Sequence, residues 1–298
     1  MVGHNILDLA KARGLEVVAP SHAEVNLLNA HAVASAIQRI APSIVVHAAG
    51  RVGGIEANMR EPVAFLSENW EMGRNVIMGA RQAHIPRLIN LGSSCMYPRD
   101  MPRALTERDL LTGPFEPTNE AYAIAKIAVQ RLAAYVGAED TRFSYKTLIP
   151  CNLYGRYDTF DPLRSHLAAA AIRKLHHAKE EGADTVDIWG DGTARREFLY
   201  AGDLAEAVVT AIQKFESCPP VVNIGAGMDY SVNDYYRTAA AVVGYQGSFR
   251  HDLSKPVGMK QKLMDVGLAA SWGWRAQTSL ADGLAQTYAY YVSAVSRL

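Results

Sequence analysis

The chain has 298 residues, of which 49% are hydrophobic, so it can bury a substantial core. Its 30 basic and 30 acidic side chains cancel, which leaves no charge excess to bind a nucleic-acid backbone or an anionic membrane. It shows no apolar run of the roughly twenty residues that a membrane helix needs. The opening "MVGHNILDLA" also lacks the pattern of a signal peptide. These features predict a cytoplasmic protein with a small-molecule partner.

Strand-like and helix-like segments alternate along the first half of the chain. In chain order they are a strand "LEVVAP", a helix "NAHAVASAIQRI", a strand "SIVVHAAG", a helix from Pro62 to His84, a strand "RLINLGSS", a helix from Glu120 to Gly137 and a strand "SYKTLIPC". Such alternation is typical of a doubly wound parallel α/β sheet, as in Rossmann-like folds.

The regular alternation of strands and helices ends at about Asn152. We predict a helix near Leu163 to Glu181, a short strand "VDIWG", a strand "PVVNIGA" and a last helix near Ser279 to Val292. This predicts a dinucleotide-binding domain over residues 1–151, with returns to it near 198–225. Residues 152–298 are then mainly a smaller mixed α/β substrate lobe that shares one cleft with it.

Neither the cysteines nor the histidines have the spacing of a metal site. Cys95, Cys151 and Cys218 are odd in number and far apart, which argues against a disulfide framework or a CxxC knuckle. His176 and His177 are adjacent in a predicted helix without a ligand-spaced partner. We predict no metal.

The most informative short motif is "YAIAK", in which Tyr122 and Lys126 lie one helical turn apart on the same face. A phenol has an unperturbed pKa near ~10, and a nearby ammonium lowers it. The pair alone more often marks a half-buried tyrosine and a surface lysine. Ser93, one βα unit earlier in "LGSSC", favours a catalytic role: Ser93 would hold a substrate carbonyl while Tyr122 exchanges its proton.

Several longer motifs carry a resemblance to a known family. They are "AAGRVGGI", "LGSSCMYP", "EPTNEAYAIAK", "IPCNLYG", "WGDGTARREFLYAGDLA", "NIGAG" and "QKLMDVGL". With them, nearly the whole chain resembles the extended short-chain dehydrogenase/reductase family, in its branch of GDP-sugar 3,5-epimerase-4-reductases. The resemblance implies NADP(H) as cofactor and GDP-4-keto-6-deoxy-mannose as substrate. It also implies a homodimer formed by the helices Pro62 to His84 and Glu120 to Gly137.

The resemblance also assigns roles to individual residues. Ser93, Tyr122 and Lys126 would carry out the reduction, and Cys95 and His166 would exchange protons at C3 and C5 of the sugar. The implied cofactor contacts are Gly3, Asn26, Leu27, Ala48, Ala49, Gly50, Pro150 and Leu153, together with Tyr122, Lys126 and His166. The implied substrate contacts are Ser94, Asn152, Lys174, Trp189, Arg196 and Lys262.

Each of these assignments has a simpler alternative. A lone cysteine after a strand is most often a small buried hydrophobe. Trp189 could be a core residue, and Arg196 could be a solvated charge. The chemistry nevertheless suits one pocket, because C3 and C5 both flank the C4 ketone. Removing either proton gives an enolate whose oxyanion needs the same donors. Arginine also suits a diphosphate, since its planar fork binds oxygens in pairs.

The amino-terminal motif departs from the family pattern. Gly3 corresponds to the third glycine of a G-x-x-G-x-x-G turn, so the family's first strand and two glycines are expected to be absent from this sequence. That strand is central in the family sheet, and its loss should leave backbone groups unpaired. At the end of the "LEVVAP" segment, Pro20, Ser21 and His22 stand where the family places its ribose-binding residues, so these positions offer neither an acid for the ribose of NAD nor an arginine for the 2′-phosphate of NADP. The lack of an acid there favours NADP.

Two other functions remain open at this level. The chain could be a GDP-sugar 4-ketoreductase that acts on another deoxy or heptose sugar without epimerisation. It could also be a nucleotide-sugar-binding protein that lacks catalysis. Cys95 and His166 favour the epimerase-reductase over the first alternative, and binding of NADPH would argue against the second.

Overall fold

The computed structural model describes residues 1–162, 165–255 and 259–295. Its helices are α1 (Val2–Ala12), α2 (Ala30–Ile40), α3 (Ile55–Arg60), α4 (Pro62–Gln82), α5 (Glu120–Glu139), α6 (Leu167–Glu180), α7 (Ala201–Gln213), α8 (Val232–Val243), α9 (Gly267–Trp272) and α10 (Leu280–Val295). Its strands are β1 (Val45–His47), β2 (Arg87–Leu91), β3 (Ser144–Pro150), β4 (Asn152–Tyr154), β5 (Thr185–Trp189), β6 (Arg195–Arg196), β7 (Phe198–Tyr200), β8 (Val221–Ile224), β9 (Tyr230–Ser231) and β10 (Ser248–Asp252).

The central sheet is parallel, with the strand order β1-β2-β3-β8. Strands β2 and β3 are buried along nearly their whole length, including their polar residues Asn90, Lys146 and Thr147. This is expected of parallel strands whose two faces are both covered by helices. The predicted doubly wound parallel α/β class is therefore confirmed.

Helices cover the sheet on both sides. Helix α1 packs against α7, and α4 packs against both α2 and α5. Gly73 allows α4 and α5 to approach closely, because a Cβ at this position would lie 2.3 Å from Cγ2 of Val129. The resulting contact holds α5, and with it Tyr122, against the sheet.

The second part of the chain has its own apolar cluster, built by α6, α8, α10 and the parallel pair β5 and β10. Ile172, Ile188 and Leu284 are fully buried in it. Helix α6 runs from Leu167 to Glu180, close to the predicted helix. The predicted first residue of that helix, Leu163, lies outside the described residues.

The predicted strand "LEVVAP" was wrong. Residues 15–20 form no strand, and the side chain of Val18 is 58% exposed. A strand requires a hydrogen-bonded neighbour. Within the described residues, β1 is an edge strand with β2 on one side only, so nothing pairs with the "LEVVAP" segment. The resemblance places the family's first strand between these two segments. Gly3 does lie inside a helix, as expected.

This open edge generates a prediction. Fusing a β-strand and a GxxGxx turn ahead of Met1 should pair with β1 and extend the anion-binding start of α1. We expect the melting temperature to rise by about 4 °C or more. Each 1 kcal/mol added to the free energy of unfolding raises the melting temperature of a large domain by roughly 2 to 4 °C. Affinity for NADPH should rise as well. A fused Ser/Gly segment of equal length is the control, and equal values for both fusions would contradict the prediction.

Candidate active site

The loops that follow β1, β2 and β3 meet at one edge of the sheet, because the three strands are parallel. The first loop contains Ala48, Ala49 and Gly50. The second contains Ser93 and Cys95, and the third begins at Cys151. Most of the reactive side chains predicted from the sequence follow these strand ends or lie on the helix packed beside them.

The loop after β2 turns Ser93 and Cys95 away from the core. Ser94 and Met96 are buried, whereas Ser93 and Cys95 remain partly accessible. The Ser93 hydroxyl accepts the backbone N–H of Cys95 at 3.3 Å and caps the short helical turn Ser94–Met96. This alternation leaves Cys95 outside the buried apolar clusters of the described residues. It also leaves only 5% of Ser94, a predicted substrate contact, exposed.

Lys126 is buried where two strand ends meet α5. Its Nζ donates to the carbonyl of Leu91 at 2.9 Å and lies 5.8 Å from the centre of the Tyr122 ring. A Cβ added at Gly50 would be 3.6 Å from the same nitrogen. Burial lowers the pKa of Lys126 to about 8, although the neighbouring Cys95 opposes this shift. The ammonium is thus retained at pH 7.

Tyr122 differs from the expectation in one respect. Desolvation raises its pKa, the proximity of Cys95 adds to the rise, and a hydrogen bond with Ser93 opposes it. The predicted lowering by Lys126 is absent because burial dominates and the ammonium is directed at Leu91. Tyr122 therefore rests as a neutral phenol, the form that can donate a proton.

A polar network that the sequence analysis missed holds the loop after β1. Asn69 of α4 accepts the N–H of Arg51 at 2.9 Å and donates to the Arg51 carbonyl at 3.1 Å. The Arg51 guanidinium pairs with Glu68 at 3.1 Å and also with Glu61. The available signal was a run of three polar residues in the predicted helix, Ser67, Glu68 and Asn69. The network fixes the backbone at Gly50.

Cys95 lies in electropositive surroundings. Lys126 and Lys262 both interact with it electrostatically, and the side-chain amide of Asn119 donates to its Sγ at 3.2 Å. Burial lowers the pKa of Lys262, while Cys95 and Glu116 oppose the shift and Arg196 adds to it. The structure therefore brings Cys95, Lys262 and Arg196, all predicted site residues, into one charged neighbourhood.

Trp189 is a surface residue, so the alternative of a core tryptophan was wrong. Its side chain is 55% exposed at the end of β5. The ammonium groups of Lys174 and Lys255 lie 5.6 Å and 5.4 Å from the centre of its ring system. Lys255 was not predicted, because its approach depends on the pairing of β10 with β5. An open aromatic face beside two cations can stack a base and neutralise a phosphate.

Arg196 and Asn152 are held by backbone carbonyls. Arg196 is half-buried, so it is not a simply solvated charge, and its Nη1 donates to the Met259 carbonyl at 2.6 Å. Asn152 is exposed and donates to the Glu197 carbonyl at 3.0 Å. The buried Glu197 carboxylate accepts the N–H groups of Met264 and Gly227 at 2.9 Å each. Desolvation raises the pKa of Glu197 to about 7.

The remaining predicted residues occupy positions that suit a dinucleotide. Gly3, in the exposed first turn of α1, has no atom within 4 Å of where a Cβ would be, so the helix start is open to a ligand. Asn26 is exposed, and the Leu27 carbonyl accepts from Asn75 at 2.9 Å. Pro150 ends β3, and Leu153 lies in β4.

His166 precedes α6 and is half-buried. Desolvation lowers its pKa, so the neutral imidazole is favoured at pH 7. Within the residues that the structure describes, no group of three or more His, Cys, Asp or Glu side chains could hold a metal ion. The described helices also include none that is long and apolar enough to cross a membrane.

Comparison with known proteins identifies the family. The model of the NAD dependent epimerase/dehydratase family matches residues 1–225, and the chain belongs to this family. It is 47% identical to GDP-L-fucose synthase of Azorhizobium caulinodans, over 98% of this chain and 94% of the relative. It is 46% identical to GDP-L-colitose synthase of Yersinia pseudotuberculosis, over 98% of this chain and 95% of the relative. These matches confirm the resemblance inferred from the motifs.

A solved structure agrees with this placement. GDP-mannoheptose C4 reductase from Campylobacter jejuni, with NADP bound, superimposes with a TM-score of 0.88 and 27% identity. The superposition covers 98% of this chain and 95% of that chain. The shared fold includes both the central sheet and the smaller lobe.

Tyr122→Phe tests the proton donor. Only the hydroxyl is lost and the ring can keep its edge contact with Phe65, 6.4 Å between centres, so the melting temperature should change little. We expect oxidation of NADPH by a keto-sugar substrate to fall about 10²- to 10⁴-fold, the usual contribution of a positioned general acid. Tyr135→Phe, on an exposed site of the same helix, is the control. Near-normal turnover by Tyr122→Phe would contradict the assignment.

Proposed function

We propose that the chain is a bifunctional epimerase-reductase that converts GDP-4-keto-6-deoxy-D-mannose to GDP-L-fucose with NADPH. The observation that carries this proposal is the grouping of Cys95 with Tyr122, Lys126 and Lys262 beside Ser93. A reductase alone needs the serine, tyrosine and lysine. The accessible Cys95, close to two lysines, adds a group that can remove a proton from carbon.

Epimerisation uses the acidity of the two carbons that flank the ketone. Ser93 and the neutral Tyr122 would donate to the C4 oxygen and stabilise the enolate that forms when a proton leaves C3 or C5. Cys95 would remove the proton in its thiolate form, which is the basic form of a cysteine. His166 returns a proton to the opposite face. Desolvation favours its neutral ring, so the negative charge of the enolate and diphosphate must support the imidazolium form.

Reduction follows at the same ketone. NADPH, when bound, supplies the hydride that adds to C4. The open start of α1 at Gly3, the segment Asn26–Leu27, and Gly50 with Lys126 would hold it. Tyr122 donates its proton to the resulting C4 alkoxide, a role that suits the raised pKa of its phenol. Through its hydrogen bond to the Leu91 carbonyl, Lys126 ties α5, which carries Tyr122, to the end of β2.

The nucleotide half of the substrate would lie against the smaller lobe. The exposed face of Trp189 can stack the guanine, and Lys174 and Lys255 lie near enough to meet its phosphates. Arg196 and Lys262 would bind the diphosphate on the side of Cys95. In this proposal the sugar would lie between the two parts of the chain.

The relative named for colitose supports a second candidate of the same type. L-Colitose is a 3,6-dideoxy sugar, so a colitose synthase would invert C5 alone. The identities of 46% and 47% to the two kinds of synthase do not separate them. A 4-ketoreductase on another deoxy or heptose sugar is a further alternative, supported by the structural match to a GDP-mannoheptose reductase. It would leave Cys95 without a role.

Reaction in deuterated water distinguishes these functions. With GDP-4-keto-6-deoxy-mannose and NADPH, the proposal predicts deuterium at both C3 and C5 of the product. Cys95→Ser should reduce this incorporation at least about 10²-fold, because an unperturbed alcohol is a far weaker base than a thiol. It should leave hydride transfer available. Cys218→Ser, the same change at a buried site, is the control. Full GDP-L-fucose formation by Cys95→Ser, or an unlabelled product from the parent chain, would refute the proposal.

We also place the enzyme in the cytoplasm as a homodimer. The three cysteines are all free thiols, which suits a reducing compartment. Helices α4 and α5 pack side by side and expose apolar residues: Val63 at 78%, Leu66 at 37%, Ile124 at 40% and Tyr135 at 57%. A two-fold pairing of these faces would make a four-helix bundle that covers them.

The dimer predicts a sedimentation mass of two chains. The double variant Ile124→Glu with Tyr135→Glu should shift the mass to one chain, because it buries two like charges in each copy of the same interface. Leu268→Glu, at a site 38% exposed on α9, is the matched control and should remain dimeric. A sedimentation mass of one chain for the parent protein would contradict the proposed dimer.

A further inference from the structure

Asn119 occupies a helix-capping position without capping the helix. It ends the short turn Pro117–Asn119, immediately before α5, and its backbone N–H donates to the Glu116 carbonyl at 3.1 Å. Asparagine is favoured here because its side-chain oxygen can accept a backbone N–H of the first turn. The Asn119 side chain makes no such bond with α5. Its polar atoms therefore serve something other than the stability of the helix.

The nitrogen and the oxygen of the Asn119 side-chain amide have different surroundings. The nitrogen Nδ2 donates to Sγ of Cys95 at 3.2 Å. The oxygen Oδ1 is buried and has no hydrogen-bond partner among the described residues. An unpaired buried acceptor destabilises the fold. A residue chosen for stability alone would not leave Oδ1 unpaired while its nitrogen binds a thiol.

The contact suits both protonation states of a thiol that works as a base. An N–H that points at sulfur favours the thiolate and fixes its direction. When the sulfur carries a proton, a half-turn of the amide presents the unpaired Oδ1 to the S–H. The N–H contact to a charged thiolate is the stronger of the two, so the amide favours the thiolate overall.

The other groups around Cys95 act differently. Tyr122 and Lys126 face it from α5, and Lys262 faces it from the segment before α9, with Glu116 near Lys262. Lys126 directs its ammonium to Leu91, so it acts on Cys95 through charge. The amide of Asn119 makes the direct contact, and its effect on direction should be separable from that of the charges.

We propose that Asn119 is a positioning residue for Cys95, whose amide orients the sulfur and stabilises the thiolate that exchanges carbon-bound protons of the sugar. The role in exchange rests on the proposed function. The effect on the thiolate does not, and it can be measured on the chain alone.

Alkylation of Cys95 by iodoacetamide measures the thiolate directly. The rate is followed from about pH 6 to about pH 10, with peptide mass spectrometry to separate Cys95 from Cys151 and Cys218. Asn119→Ala should move the midpoint of the profile upward by about one pH unit, a tenfold loss of thiolate at a given pH. Asn119→Asp should move it further, because a carboxylate disfavours a neighbouring thiolate. Gln246→Glu adds the same charge on an exposed loop and should leave the profile unchanged.

A second readout separates positioning from general damage. Asn119→Ala should slow deuterium exchange at the sugar carbons about tenfold, in line with the loss of thiolate. Hydride transfer to a keto-sugar that needs no epimerisation should be unchanged, as should the melting temperature. An unchanged alkylation profile, or an equal loss of exchange and hydride transfer, would overturn the proposal. If Asn119→Ala does not fold, Asn119→Asp gives the same comparison. A parent chain without exchange would refute the proposed function, while the alkylation profile would still test Asn119.

Discussion

The buried ammonium of Lys126 is the group on which the arrangement of the site depends. It donates to the Leu91 carbonyl at the end of β2, lies beside Gly50 after β1, and projects from the helix that carries Tyr122. One cation thus links two strand ends to the helix. Burial lowers its pKa to about 8. His47, buried at the end of β1, has a pKa of about 3 through desolvation and the charge of Lys126. It stays neutral, so the lysine remains the local charge.

Positive charge is concentrated around the cleft although the chain is neutral overall. Desolvation lowers the pKa values of both Lys262 and Arg196, and the proximity of Glu116 offsets part of the shift in each. Partly buried cations are unfavourable without a counter-charge. A diphosphate and a thiolate would both supply one. A nucleotide sugar bound in the proposed site would therefore meet the same cations that lie near Cys95.

Local patterns predicted the parallel sheet and the helix that carries Tyr122 and Lys126, because apolar periodicity is a property of contiguous sequence. The failures involve distant partners. The "LEVVAP" segment has strand composition, yet a strand forms only beside another strand. The pKa of Tyr122 rises because tertiary burial outweighs the neighbouring lysine. Lys255 reaches Trp189 through the pairing of β10 with β5. The sequence analysis did not single out Asn119, and only the fold shows its amide at Cys95.

The two parts of the proposed site, the residues after β2 and on α5 and the loop at Gly50, differ in how firmly the fold holds them. Ser93 and Cys95 lie in the turn that follows β2, and Tyr122 and Lys126 lie on α5. Both elements adjoin a core that contains fully buried residues such as Ile89 and Leu148. The loop at Gly50 follows β1, which is short and forms the sheet edge in the described part of the chain. Asn69 and Glu68 hold that loop from α4, which does not depend on any further strand. Local stability is lower where fewer backbone groups are paired. The part of the proposed site on α5 and the turn after β2 is therefore held by the core, whereas the loop at Gly50 lies at the less extensively paired sheet edge of the described residues.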